Sequence, residues 1–161
     1  QYIVGFLTGV VVTLLASYLR WLSETRRRGY ESLSALHDTW LSTIEAISAF
    51  IGRTGGFRAV SLGYDPEKPN DPRRIDAWET RGKLIQLRAQ IDRAAIFLQD
   101  KEEAAILKSW NQLWNGFHDS GADWQRDAQY TEVLPQTSEE IASIIRKKYF
   151  SVRGFLRSLR W

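Results

Sequence analysis

The stretch that decides the architecture is residues 1–29, QYIVGFLTGVVVTLLASYLRWLSETRRRG. From Tyr2 to Leu19 it carries no charge; Arg20, Arg26, Arg27 and Arg28 then follow, opposed only by Glu24. A helix that crosses the hydrocarbon layer needs ~20 mostly apolar residues rising ~1.5 Å each. Tyr2 to Leu22 supplies that length, with Arg20 close enough to the end to snorkel. Tyr2 at one end, and Tyr18 and Trp21 at the other, match the amphipathic rings that mark membrane interfaces. Two other readings compete. A cleaved signal peptide calls for a basic leader and a small-x-small cleavage site, and neither is visible. A buried core helix is the other alternative, although an amphipathic helix on a small domain would show a polar face and none interrupts the run. The sequence therefore predicts a transmembrane anchor over residues 1–22. Because the arginines follow the span, the positive-inside rule places residues 23–161 in the cytoplasm, as a single-pass protein of an inner (cytoplasmic) membrane.

Within the run, Gly5, Gly9, Thr13 and Ser17 recur every four residues. On a helix they form one narrow stripe of small side chains, the arrangement that lets two membrane helices approach closely. This stripe is the candidate surface for packing against another transmembrane helix. The alternative is a plain lipid-facing anchor.

Four further helices follow from periodicity. The second runs from about Leu22 to Ile51, either separate from the anchor or continuous with it, with an apolar stripe of Leu33, Leu36, Trp40, Ile44, Ile47 and Ile51 at spacings of three and four. Gly29 is its one weak point. The third starts at NDPRR, with Asp71 as N-cap and Pro72 at the first helical position. Its expected core residues are Ile75, Trp78, Leu84, Leu87, Ile91, Ala94 and Leu98. DKEE sets Asp100 three residues before Glu103, a variant of the capping box. Ile106, Leu107, Trp110, Leu113, Trp114 and Phe117 then line a fourth helix. TSEE repeats the box with Thr137 and Glu140, ahead of a fifth helix carrying Ile141, Ile144, Ile145, Val152, Phe155, Leu156 and Leu159. Amphipathic helices without a convincing strand predict an all-α protein: an N-terminal transmembrane helix followed by an antiparallel bundle of about four helices over residues 23–161.

Two long connections, 52–71 and 119–136, interrupt the compactness. Loops of that length in a small domain are usually functional or disordered. Their Phe57, Arg58, Tyr64, Trp124 and Tyr130 are the candidate partner-binding side chains.

Charge is distributed unevenly over a net of +3. The excess of base sits at the two ends, around Arg26–Arg28 and in Arg146, Lys147, Lys148, Arg153, Arg157 and Arg160, with a mildly acidic middle. Arg153, Arg157 and Arg160 share one helical face. A basic amphipathic helix in a membrane-tethered protein suits an anionic lipid surface or an acidic neighbour. The candidate membrane-surface or acidic-partner contacts are thus Arg26, Arg27, Arg28, Arg153, Arg157, Arg160 and Trp161. A merely solvated face and nucleic-acid binding are the weaker alternatives, and nucleic acid is not expected. The chain has no cysteine and no methionine. The first excludes disulfides and thiolate chemistry; the second suggests that a few residues precede Gln1.

No catalytic arrangement stands out. His37-Asp38 and His118-Asp119 are the only histidine–acid pairs, and a metal site on helices needs more ligands than a chain with two histidines offers. RTGGFR lacks the lysine and the following helix start of a nucleotide loop. Asp119, Asp123 and Asp127 are four apart and miss the calcium-loop pattern. Trp110, Trp114 and Phe117 share a face that suits core packing better than a cofactor shelf. The expectation is a protein without enzymatic activity, cofactor or metal: a membrane-anchored interaction protein, serving as an accessory or assembly subunit of a larger membrane complex. Its partners would be the membrane itself and other membrane-protein subunits or further copies of the chain. The alternative is a membrane-anchored effector or sensor that oligomerises and perturbs the bilayer.

Overall fold

The computed structural model describes the backbone of residues 2–54, 72–118 and 124–151, and the side chains of 9–50, 78–117 and 133–151. Four helices account for most of it: α1 over Tyr2–Thr54, α2 over Pro72–Ala94, α3 over Asp100–His118 and α4 over Trp124–Ile145. A 3-10 turn, Ala95–Phe97, joins α2 to α3, and a π-helical turn, Arg146–Phe150, ends α4. No strand occurs among the described residues. The protein is an all-helical bundle.

The first two expected helices are one. α1 runs unbroken for 53 residues, about 80 Å at ~1.5 Å per residue, through Arg26–Arg28 and through Gly29. It continues because nothing in that segment breaks a helix. Gly29 costs ~1 kcal/mol of propensity, which packing recovers: the residue is buried, and a Cβ there would collide with Tyr149 Oη and lie 3.0 Å from Phe97 Cδ1. The expected weak point is a close-packing point.

The two halves of α1 differ completely in environment. Every residue from Gly9 to Trp21 is exposed, whichever face it lies on, with Leu14 at 64% and Val12 at 59%. None of the described residues covers this apolar segment. Among the described residues no helix is long and apolar enough to cross a membrane. The uncharged run of the sequence begins earlier, at Tyr2, and the side chains of its first seven residues lie outside the described ones.

From Leu33 onward α1 is the central element of a core. Leu33, Leu36, Trp40, Ile47 and Phe50 of α1 are buried with Leu84, Leu87, Ile91 and Ala94 of α2, Ile106, Leu113 and Phe117 of α3, and Leu134, Ile141 and Ile144 of α4. Periodicity identified most of these, because a 3–4 spacing places them on one stripe. Thr43 and Phe50 complete the α1 stripe; the Thr43 hydroxyl is satisfied by donating to Thr39 O at 2.7 Å. In α2 the buried stripe is Thr80, Leu84, Leu87, Ile91 and Ala94. Trp78, expected in it, is 60% exposed, with the Arg81 guanidinium over its ring at 5.4 Å. Six residues separate Trp78 from Leu84, which turns the indole away from the stripe.

Two helix starts also differ from expectation. The capping box at α3 is shifted by one: Glu102 Oε2 accepts the Gln99 backbone N–H at 2.9 Å, in place of an Asp100–Glu103 pair. The side chain that completes the box must sit three residues after the cap, and the cap is Gln99. Thr137 is not a cap at all. α4 begins at Trp124 and passes through it, so residues 124–136, expected as loop, are helical despite Pro135 within them. The Thr137 hydroxyl, freed from capping, bridges Val133 O at 3.0 Å and Ser109 Oγ at 2.8 Å, tying α4 to α3. Pro135 removes one ladder N–H, and Trp40 Nε1 donates to Leu134 O beside it at 3.0 Å.

The helices alternate in direction. Gly29 meets Phe97 and Tyr149 at one end of the bundle, and at the other Phe50 and Phe117 pack with ring centroids 6.0 Å apart. The exposed segment of α1 projects from the first of these ends. Of the fifth helix expected to run to Leu159, the described part ends at Phe150, with Ser151 extended at φ −96° and ψ 143°; Val152, Phe155, Leu156 and Leu159 lie outside the described residues.

Candidate functional site

The features that could carry function gather where α1 leaves the bundle. The α4 C-terminus returns to this point and is held there by three contacts. The Arg26 guanidinium donates to Tyr149 O at 2.8 Å. The Tyr149 ring meets Tyr30 edge-on at 5.7 Å, and its hydroxyl end presses on the bare backbone of Gly29. Burial pushes the Tyr149 phenol above its usual range, partly offset by the positive charge of Arg26. The phenol therefore stays protonated and neutral here.

Lys148 supplies a second fastening. Its ammonium donates to Phe97 O at 2.7 Å and to Glu102 Oε2 at 2.6 Å, with both side chains mostly covered. The same carboxylate caps α3, so the Lys148–Glu102 pair joins the 3-10 turn, the start of α3 and the end of α4. A charge-assisted pair of this kind is stronger than a surface ion pair because little water competes for it.

Sequence reasoning assigned Arg26, Arg27 and Arg28 to a membrane surface or an acidic partner. The structure separates them. Arg26 is partly buried and engaged with Tyr149, Arg27 is exposed with Glu31 at 3.7 Å, and Arg28 is exposed. Arg153, Arg157, Arg160 and Trp161 lie outside the described residues, as do Phe57, Arg58 and Tyr64. Trp124 and Tyr130 lie on α4, not in a loop, with side chains outside the described set. Of the small-residue stripe, Gly5 is outside the described side chains. Gly9 opens onto empty space, with nothing within 4 Å of a Cβ placed there. Thr13 folds its hydroxyl back onto Gly9 O at 2.8 Å, which turns that polar group toward the helix backbone.

Two apolar side chains that the periodicity passed over stand out at the same end of the bundle. Ile96, in the turn between α2 and α3, is 81% exposed, and Phe150, at the end of the π turn, is 70% exposed. Phe150 touches Tyr30 edge-on at 5.8 Å. Neither belongs to an amphipathic repeat, so no periodic pattern marks them.

A shallow open cleft of about 400 Å³ lies between α1 and α4, lined by Tyr30, Ser34, His37, Asp38, Ala142, Ile145 and Arg146. His37 Nε2 lies 3.2 Å from Ser138 Oγ and is thereby used in holding α4. Among the described residues no three His, Cys, Asp or Glu side chains converge as a metal site would require. The indoles of Trp110 and Trp114 stack at 5.3 Å against the core, with Trp110 Nε1 donating to Leu84 O at 2.9 Å. They pack; they do not form a shelf. No family model matches the chain, and no curated protein or solved structure matches it either.

Proposed function

We propose that the protein is a membrane-anchored helical interaction module, an accessory or assembly subunit of a larger membrane complex, with its bundle on the cytoplasmic side. One observation carries the reading: residues 9–21 of α1 form an apolar helix exposed on every face, rigidly continuous with a folded bundle. An isolated apolar cylinder of this kind is unfavourable in water, at ~25 cal/mol for each Å² of apolar surface left wet. It is the ordinary state of a helix in lipid, where backbone groups are satisfied internally and side chains need no polar partner. The uncharged run starting at Tyr2 and the arginines after it give that helix a length and a direction. The open groove at Gly9, with Thr13 turned inward, suits close approach of another membrane helix.

The absence of cysteine makes the test clean. Glu45 is exposed on the bundle half of α1, so Glu45→Cys should resist an impermeant thiol reagent in intact spheroplasts and react once they are permeabilised. The chain should also stay with membranes through alkaline carbonate and leave mild detergent extracts with a fixed companion. Labelling of intact spheroplasts would overturn the orientation. Release by carbonate would overturn the anchor. Purification without a companion, together with leakage of membranes on expression, would replace the subunit role by that of a bilayer-perturbing effector.

A further inference from the structure

The end of the bundle from which the apolar half of α1 projects carries two largely exposed apolar side chains, of which Phe150 only edges against Tyr30. Ile96 stands at the tip of the tight α2–α3 turn, and Phe150 stands at the last position of the α4 π turn. They are brought to one end by the contacts already described: Lys148 bonds the carbonyl of Phe97, and Tyr149 and Phe97 both press on Gly29. Exposed bases occupy the same end of the bundle. Arg28 on α1, Arg93 in the last turn of α2, Lys101 at the start of α3 and Lys147 in the π turn are all exposed. The acids at this end are Glu24, Glu31, Asp92, Asp100, Glu102 and Glu103. Three of them are committed within the chain: Glu31 to Arg27, Asp92 to Arg88 and Glu102 to Lys148.

We propose that this end is a second membrane contact, in which Ile96 and Phe150 insert at the headgroup level of an anionic bilayer while the bases at the same end meet its phosphates. The proposal rests on the anchor reading and extends it to residues outside the anchor. Apolar tips accompanied by lysine and arginine are what an anionic lipid surface binds, since the tips gain burial and the bases gain from the surface potential. The reach is right. Gly29 lies seven residues past Leu22, about 10 Å along the helix, and the headgroup layer extends ~5–8 Å beyond the hydrocarbon. Side chains projecting from the turns, helped by the ~20° tilt common to membrane helices, close the remaining gap. Such a contact fixes the bundle against the membrane instead of letting it swing on α1.

Single-cysteine variants of the full chain test this after reconstitution into vesicles containing phosphatidylserine and spin-labelled lipid, each labelled with an environment-sensitive fluorophore. Val12→Cys reports the anchor, Ile96→Cys and Phe150→Cys report the contact, and Glu45→Cys reports the distal bundle. Blue-shifted, quenched emission at Ile96→Cys and Phe150→Cys but not at Glu45→Cys is expected, with the quenching lost in purely zwitterionic vesicles. Quenching at Val12→Cys alone overturns the contact and leaves the anchor standing; the two tips would then face a protein neighbour. Absence of quenching at Val12→Cys overturns the anchor and the contact with it. Quenching that persists unchanged without anionic lipid overturns the role of the bases.

Discussion

At Gly29 a single missing methyl group decides how α4 ends. The helix pays for glycine in propensity, and replacement by alanine would return ~1 kcal/mol if nothing opposed it. Here the added Cβ meets Tyr149 Oη and Phe97 Cδ1 together. Tyr149 cannot simply swing aside, because Arg26 holds its carbonyl and Tyr30 flanks its ring. Overpacking of this kind costs ~1–3 kcal/mol, which outweighs the gain. Gly29→Ala should therefore lower stability in thermal or denaturant unfolding. Adding Tyr149→Phe, which removes the obstructing oxygen, should restore part of the loss. A simple gain in stability for Gly29→Ala would show that the contact is loose.

Among the elements, the junction of the 3-10 turn, α3 and α4 depends on one ion pair. Lys148→Met keeps the aliphatic stem and removes the ammonium, leaving Phe97 O and one side of Glu102 without their donor. Both partners retain some solvent access, so the loss should be about 1–2 kcal/mol, below the upper range for hydrogen bonds to charged groups. Glu102→Gln should cost less, since its amide oxygen can still accept from Gln99 N–H. The shift in urea midpoint at constant slope measures both. Equal losses for the two variants would mean that the amide oxygen does not preserve the cap.

For the molecule as a whole, the division falls inside a helix and not in a linker. Residues 9–21 bury nothing against the bundle, whose core begins with Gly29 and Leu33. Removing residues 1–19 should then leave the bundle's stability intact. In detergent, residues 20–161 should melt within ~2–4 °C of the full chain, the shift that about 1 kcal/mol produces at this size. A larger fall would show that the apolar segment packs on the bundle after all. Because α1 is continuous through Arg26–Arg28, whatever orients its apolar half also orients the bundle.

The sequence by itself determined the helical class, the start of α2 at Pro72 and most of the core, because a buried stripe must repeat every three or four residues whatever it packs against. It also determined that one end of the chain is apolar without a polar face. It misplaced Trp78 because a large aromatic ring suggested burial where the spacing did not. It read 119–136 as loop because TSEE looks like a cap; over 124–136 that local signal yields to Leu134 packing in the core and to the Trp40 indole bonding its carbonyl. Only the tertiary structure decided that Gly29 is a contact, that Arg26 is occupied within the fold, and that Ile96 and Phe150 stand together at one end. These depend on which turns meet in space, and no local pattern encodes the meeting of residues separated by fifty or a hundred positions in the chain.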